Sequence, residues 1–516
     1  MKLWSLSASR LSELMTARDV SSEEVVQAHL DRIREVNPKL RAFVDVLADQ
    51  ALLDARQKDQ ERARGACRGP LHGLPVSVKE CFDLAGKPTT LGIAALQSPL
   101  AVRDAALVQA LREAGAILLG RTNLSQAMLY VESRNPLFGQ TSNPFRPTHT
   151  PGGSSGGEAA AIASGMSPLG LGTDIGGSIR TPCHFSGIAG IKPTLDRLPA
   201  RGYRTAFPGQ EAVRAQVGPM ARSSRDLALF FSALPSDMSP LDPRTPPLAW
   251  VDLQGVQGLR VGLYTDDGVL PVSTTLVRAV LRAADALRDA GATVVPFVPP
   301  RVSELVADYL ACLSADGGAT LAAAVGDGPL DPVIQPLRRL ASVPDPLRRA
   351  AAGLASMAGE TRLAGMLRVV GKKSVAEYWA LTNRLRAYRT ELLDALDAAK
   401  VDLVLCPPYA TCALPHLGSK NFTLASSYCM LWNAVQFPAG VVPVTRVRNG
   451  ETLRASPRDS LERHAAKVDA VSLGLPCGVQ VVGRPWREDR VLAAMMAIED
   501  AVCGDEDFPR KPVEAP

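Results

Sequence analysis

Apolar residues recur at helical spacing through residues 7–36, where Ser21-Ser-Glu-Glu24 has the Ser-x-x-Glu pattern of a capping box ahead of Val25, Val26 and Leu30. Two helices are predicted there. Between residues 73 and 194 the period changes: short β-branched runs alternate with alanine-rich stretches such as 105–116, as in a sheet covered by helices. The run Leu74-Pro-Val-Ser-Val-Lys79 reads as a buried strand interrupted by a lysine. Residues 259–264, 274–290 and 292–297 read as strand, helix and strand. Residues 303–399 are helical almost throughout and form the most independent-looking part. Strands return at 401–405, 440–444 and 479–482 before a closing helix over 488–501. The polar stretch 446–467 has no core-facing period and is expected to be an exposed loop or hairpin extension. No internal repeat interrupts this α/β pattern.

Chemistry concentrates in two glycine-rich segments, Thr150-Pro-Gly-Gly-Ser-Ser-Gly-Gly-Glu158 and Gly172-Thr-Asp-Ile-Gly-Gly-Ser-Ile-Arg180. Without a Cβ, glycine lets backbone N–H groups approach a reacting atom closely. The N–H groups of Ile175, Gly176, Gly177 and Ser178 are therefore candidates for an oxyanion hole. A lysine inside an apolar strand costs desolvation energy unless it is paired or functional, so Lys79 is a third candidate. As a base it would need burial to lower its pKa from about 10.4 towards neutrality. Asp174 and Arg180 flank Ser178 and read as an ion pair that frames the turn. His184 is the rival base, but neither an Asp–His pairing nor a Gly-x-Ser-x-Gly elbow accompanies it. The first glycine loop lacks the Gly-Lys-Ser/Thr ending of a phosphate loop, and the second does not fit Gly-x-Gly-x-x-Gly. No His, Cys and carboxylate cluster has metal-ligand spacing, and the chemistry calls for no cofactor.

Lys79, Ser154 and Ser178 together resemble the Ser–Ser–Lys triad of the amidase signature family. The similarity extends to Asn135-Pro-Leu-Phe-Gly-Gln-Thr-Ser-Asn-Pro144, Ser167-Pro-Leu-Gly-Leu-Gly172, Gly187-Ile-Ala-Gly-Ile-Lys-Pro-Thr194 and Gln436-Phe-Pro-Ala-Gly-Val-Val-Pro-Val-Thr445, and runs from about residue 37 to 486. Within the family these segments look most like the fatty acid amide hydrolases.

The resemblance implies one catalytic domain over residues 1–516: N-terminal helices (1–72), a core with the triad (73–300), a helical cap (303–399) and the rest of the core (400–516). It implies a large twisted mixed sheet covered by helices on both faces. Ser178 would be the nucleophile and Ser154 would relay its proton to Lys79, held by a cis peptide bond after Gly153. Ser155 would be a supporting hydroxyl. Met128 and Leu129 would lie near the acyl route, with Phe437 and its neighbours in 427–438 as weaker candidates; core packing is the competing reading for each. The implied substrate is a small acyl amide, in the first place a fatty acid amide. An aryl or short-chain amide, or glutamine in an amidotransferase subunit, is the alternative. A homodimer is a family expectation.

Mammalian fatty acid amide hydrolase has a Trp/Phe-rich membrane-binding cap where this chain has residues 332–373. Here Leu337-Arg-Arg-Leu340, Leu347-Arg-Arg-Ala-Ala-Ala-Gly-Leu354 and Met366-Leu-Arg-Val-Val370 are basic and aliphatic. Such a cap can lie on an anionic membrane as a peripheral contact or serve as a solvated cover.

Composition narrows the setting. The net charge of +5 over 516 residues, without a basic run interleaved with aromatics, argues against a nucleic-acid partner. Nine cysteines without a Cys-x-x-Cys pair give no disulfide framework, and a reducing cytoplasm is the simplest expectation. The first residues are too polar for a secretory signal, and no apolar run reaches the 18 or so residues of a membrane span.

Overall fold

The computed structural model describes residues 2–248, 250, 253–509 and 513. Its strands in chain order are β1 (Phe43–Val46), β2 (Pro75–Lys79), β3 (Ile117–Thr122), β4 (Arg134–Asn135), β5 (Gly139–Gln140), β6 (Leu169–Asp174), β7 (Ala189–Lys192), β8 (Gln216–Ala221), β9 (Arg260–Leu263), β10 (Thr293–Pro296), β11 (Leu403–Cys406), β12 (Ala439–Arg446) and β13 (Pro476–Gly483). Eleven of them form one sheet in the order β1-β3-β2-β6-β8-β7-β12-β13-β11-β9-β10, while β4 and β5 pair separately. The sheet is mixed. β2 runs parallel to β3 and β6, β9 runs parallel to β10 and β11, and the strands from β6 through β8, β7, β12 and β13 to β11 pair antiparallel.

Both faces are covered, as β3 demonstrates. Successive side chains of a strand point to opposite faces, and here Leu118 packs into the main hydrophobic cluster while Ile117 and Leu119 pack into a second one. Helices Ser22–Leu40, Ala48–Ala63 and Gly156–Ala163 supply the second cluster through Val26, Leu30, Ile33, Ala51, Ala55, Ala160 and Ala161. Helices Ala106–Glu113 and Thr274–Asp289 contribute Leu107, Leu111, Leu276 and Leu287 to the main one. The predicted capping box is present: Ser21 Oγ accepts from Glu24 N while the Glu24 carboxylate accepts from Ser21 N.

Two expectations from the pattern fail. Residues 446–467 are not loop throughout, because Ser460–Asp469 is a helix capped by Asp459, with Leu461, Ala465 and Val468 buried on one side. Nor is the helical segment independent. Its helices Val302–Leu313 and Val375–Ala398 place Leu305, Val306, Tyr309, Leu385, Tyr388 and Leu392 in the main core. Between them lie Ala319–Val325, Ile334–Ser342, Asp345–Met357 and Thr361–Val369. Among the described residues no helix is long and apolar enough to cross a membrane.

Candidate active site

β2 and β6 are parallel neighbours, with Ser77 opposite Gly170 and Val78 opposite Leu171. Their carboxyl ends therefore meet, and ligand sites of α/β sheets favour such edges. β2 ends in Lys79 and β6 in Thr173 and Asp174. Lys79 Nζ donates to Ser154 Oγ at 2.6 Å and to Thr173 Oγ1 at 2.9 Å. The lysine is fully buried. Burial lowers its pKa to about 8, against the opposing pull of Cys81, Asp174 and Glu158.

The peptide bond between Gly153 and Ser154 is cis, the isomer that the resemblance implies. A Cβ on Gly153 would stand 2.5 Å from the backbone nitrogen of Glu132, so only glycine fits this approach. Ser155 N donates to the Ser178 carbonyl at 3.2 Å, and the Ser155 hydroxyl contacts both the N–H and the carbonyl of Thr173 at 3.3 Å. Ser155 thereby ties the two glycine segments together. Among the described residues no hydrogen bond joins the hydroxyls of Ser154 and Ser178; Ser178 instead lines an adjoining cavity.

Behind the loop, Arg180 Nε and Nη2 grip Asp174 Oδ2 and Oδ1 at 2.9 Å each, with both side chains fully buried. Burial alone would raise the Asp174 pKa, but the guanidinium overrides it and holds the carboxyl well below the usual range. Asp174 also accepts the N–H groups of Gly177, Ile179 and Arg180 at 2.8, 3.1 and 3.3 Å. Here the predicted oxyanion set is corrected. Gly177, at φ +117°, spends its N–H on the Asp174 carboxylate, which leaves those of Ile175, Gly176 and Ser178. Asn433 and Gln480 complete the frame: Asn433 Nδ2 donates to Asp174 Oδ1 at 3.0 Å, and Arg180 Nη1 donates to Gln480 Oε1 at 2.6 Å. Sequence reading missed both. They lie 253 and 300 positions from Arg180, outside any motif that holds the catalytic candidates.

The cavity beside Ser178 has a volume of about 210 Å³. Met128, Leu129, Val131, Leu310, Leu313, Phe422 and Met430 make its walls mainly apolar. Met128 and Leu129, expected near the acyl route, line this cavity, and Met430 comes from the 427–438 segment. Phe437 does not line it. That ring is buried 6.3 Å from Trp432, and the Phe437 backbone carbonyl accepts from the buried Lys192 Nζ, so Phe437 is core. His184 is tied at both nitrogens, accepting from Gly478 N at Nδ1 and meeting the Thr411 carbonyl at Nε2, each at 3.0 Å. Burial lowers its pKa to about 4, and its nitrogens have no free reach towards Ser178.

A mixed sheet carries a buried lysine, hydroxyls and a glycine turn at its strand ends, beside an apolar cavity. Residues 24–492 match the family described as Amidase, and the chain belongs to that family. It is 37% identical over 508 residues to fatty-acid amide hydrolase 1 of Sus scrofa, covering 96% of this chain and 86% of that protein. Fatty acid amide hydrolase 1 of Caenorhabditis elegans is 33% identical over 509 residues, covering 97% and 89%. A solved structure of a fatty acid amide hydrolase superposes with a TM-score of 0.85 at 28% identity, covering 97% of this chain and 85% of that one. The protein is an amidase, a hydrolase of amide bonds.

Proposed function

We propose that this amidase hydrolyses fatty acid amides, namely N-acylethanolamines and primary fatty amides, to free acid and amine through an acyl-enzyme on Ser178. The observation that carries the reading is the apolar cavity that opens on Ser178. Each methylene placed against such walls contributes about 0.8 kcal/mol, so the cavity favours long acyl chains over short ones.

Neutral Lys79 takes the proton of Ser154 as Ser154 takes that of Ser178, and Ser178 Oγ attacks the amide carbonyl. The backbone N–H groups of Ile175, Gly176 and Ser178 face the charge that develops on the carbonyl oxygen. The proton then returns along Lys79 and Ser154 to the departing nitrogen, the C–N bond breaks, and water releases the acid by the same steps. This relay requires the hydroxyls of Ser154 and Ser178 to meet when substrate is bound. On the same reading the cap, which leaves Leu347, Leu354 and Met357 exposed, rests on an anionic membrane surface from which insoluble amides enter.

The test is a series of primary amides from about two to twenty carbons, assayed beside Ser178→Ala. Rates that climb with chain length and vanish in the variant are expected, together with fluorophosphonate labelling of Ser178 alone. A maximum at short or aryl amides overturns the lipid assignment and keeps the nucleophile. Glutamine turnover only with added subunits points to an amidotransferase component. Turnover retained by Ser178→Ala overturns the mechanism itself.

A further inference from the structure

A trans peptide unit holds its carbonyl and its N–H in one plane, pointing in opposite directions across the C–N bond. A hydrogen bond that pins a carbonyl therefore also aims the N–H of the next residue. The loop after β6 is pinned from behind in this way at each remaining oxyanion donor. The Asp174 carbonyl, paired with Ile175 N–H, accepts from Asn433 Nδ2 at 3.1 Å. The Gly177 carbonyl, paired with Ser178 N–H, accepts from Thr181 N at 2.7 Å. The Ile175 carbonyl, paired with Gly176 N–H, accepts from the hydroxyl of Tyr309 at 2.9 Å.

Asn433 and Thr181 belong to the framework around Asp174 and the short helix Arg180–Ser186. Tyr309 does not. It stands on Val302–Leu313, the first helix of the cap, and its phenol reaches across to the loop. The fit is close: a Cβ on Gly176 would lie 2.5 Å from the Tyr309 hydroxyl oxygen but 3.5 Å from Cζ. Burial pushes the Tyr309 pKa far above its ordinary value, so the phenol stays protonated and donates.

We infer that Tyr309 is a positioning residue for amide hydrolysis, whose hydroxyl orients the Gly176 N–H towards the tetrahedral oxyanion and so couples the packing of the cap to the rate of the chemical step. The inference rests on Ser178 as nucleophile. Tyr309 also lines the cavity, and a wall residue would act on substrate affinity instead.

Tyr309→Phe keeps the ring and removes the hydroxyl. The expected result is a fall in kcat of roughly 5–50-fold, below the 10²–10³ that follows outright loss of an oxyanion donor. KM and the pH dependence of the rate stay unchanged. A trifluoromethyl ketone bearing the acyl chain of the best substrate, which adds to Ser178 as a tetrahedral oxyanion, loses affinity by the same factor as kcat/KM, while binding of the free acid holds. Gly176→Ala supplies the second arm. Alone it displaces the phenol and lowers kcat; in the Tyr309→Phe background it adds less than about twofold, because the two changes remove one interaction. A raised KM with intact kcat, or losses that multiply in the double variant, overturns the inference. Activity surviving Ser178→Ala overturns the reading beneath it, and the two failures are distinct.

Discussion

Lys79 suits the proposed role of base because its partners are hydroxyls rather than carboxylates. Ser154 and Thr173 hold the amine at 2.6 and 2.9 Å without stabilising its charge as an ion pair would, so burial brings its pKa down to about 8. In the proposed relay the neutral amine is the active form. The rate should accordingly rise with pH through about 8 and level off above it, which a pH profile of kcat/KM on a non-titrating amide reads directly. Lys79→Ala should lose this limb and about 10²–10⁴ in rate, the contribution of a positioned base. Glu158 sharpens the argument. Its carboxyl accepts from Ser77 Oγ at 2.5 Å and from Thr122 Oγ1, in a space that a Cβ on Gly170 would enter at 1.7 Å from Oε1. Burial pushes its pKa up to about 7, and its charge opposes the lowering of Lys79. Glu158→Gln removes that charge while keeping an acceptor, so the limb set by Lys79 should move to lower pH. A limb that stays put or moves up would show that the two groups are not coupled.

The short helix Arg180–Ser186 carries little by itself and much through its first residue. Arg180 joins the end of β6 to Gln480 on β13 and to the carbonyl of Cys429 and the side chain of Asn433 on the helix Ser427–Ala434. Arg180→Met leaves Asp174 buried without its partner, so the variant should lose about 3–5 kcal/mol of stability, the cost of breaking one side of a buried pair. Urea unfolding measures this, and Arg180→Lys should recover only part, because an ammonium cannot make the forked contact. What the sequence revealed follows the same division. Lys79, Ser154, Ser155, Asp174, Ser178 and Arg180 stand in quotable motifs, and the structure places them around one turn. Asn433, Gln480 and Tyr309 reach that turn from distant elements, where nothing in a local pattern distinguishes an asparagine that frames a loop from one that faces water. Phe437 was unreadable for the opposite reason, since an apolar ring has the same pattern on a cavity wall and in a core. The helix Ser460–Asp469 did leave a signal in Asp459-Ser-Leu-Glu462, the spacing of a capped start, but its surrounding charges hid the buried face of Leu461, Ala465 and Val468.

At the scale of the whole molecule, the cap presents residues both to the cavity and to solvent. Inward, Val302–Leu313 supplies Tyr309, Leu310 and Leu313 to the cavity. Outward, Leu347 and Leu354 lie two turns apart on Asp345–Met357, and Val375 and Trp379 lie one turn apart on Val375–Ala398; all four are about two-thirds exposed. Trp379 falls just beyond the segment from which a membrane contact was expected, and it is an exposed aromatic of the kind residues 332–373 lack. Arg339, Arg349, Arg368 and Lys372 are exposed on the same segment. Each cation close to an anionic surface adds about 1 kcal/mol, an effect that fades beyond the Debye length of roughly 10 Å at 0.1 M salt. The protein should therefore sediment with phosphatidylserine vesicles at low salt, and less so with phosphatidylcholine or at high salt. Leu354→Glu combined with Trp379→Glu should release it while leaving hydrolysis of a water-soluble amide intact, because neither side chain lines the cavity. Equal binding to both lipids would remove the electrostatic part of the argument. No binding to either would make the cap a solvated cover, and delivery of insoluble amides would then have to proceed through water.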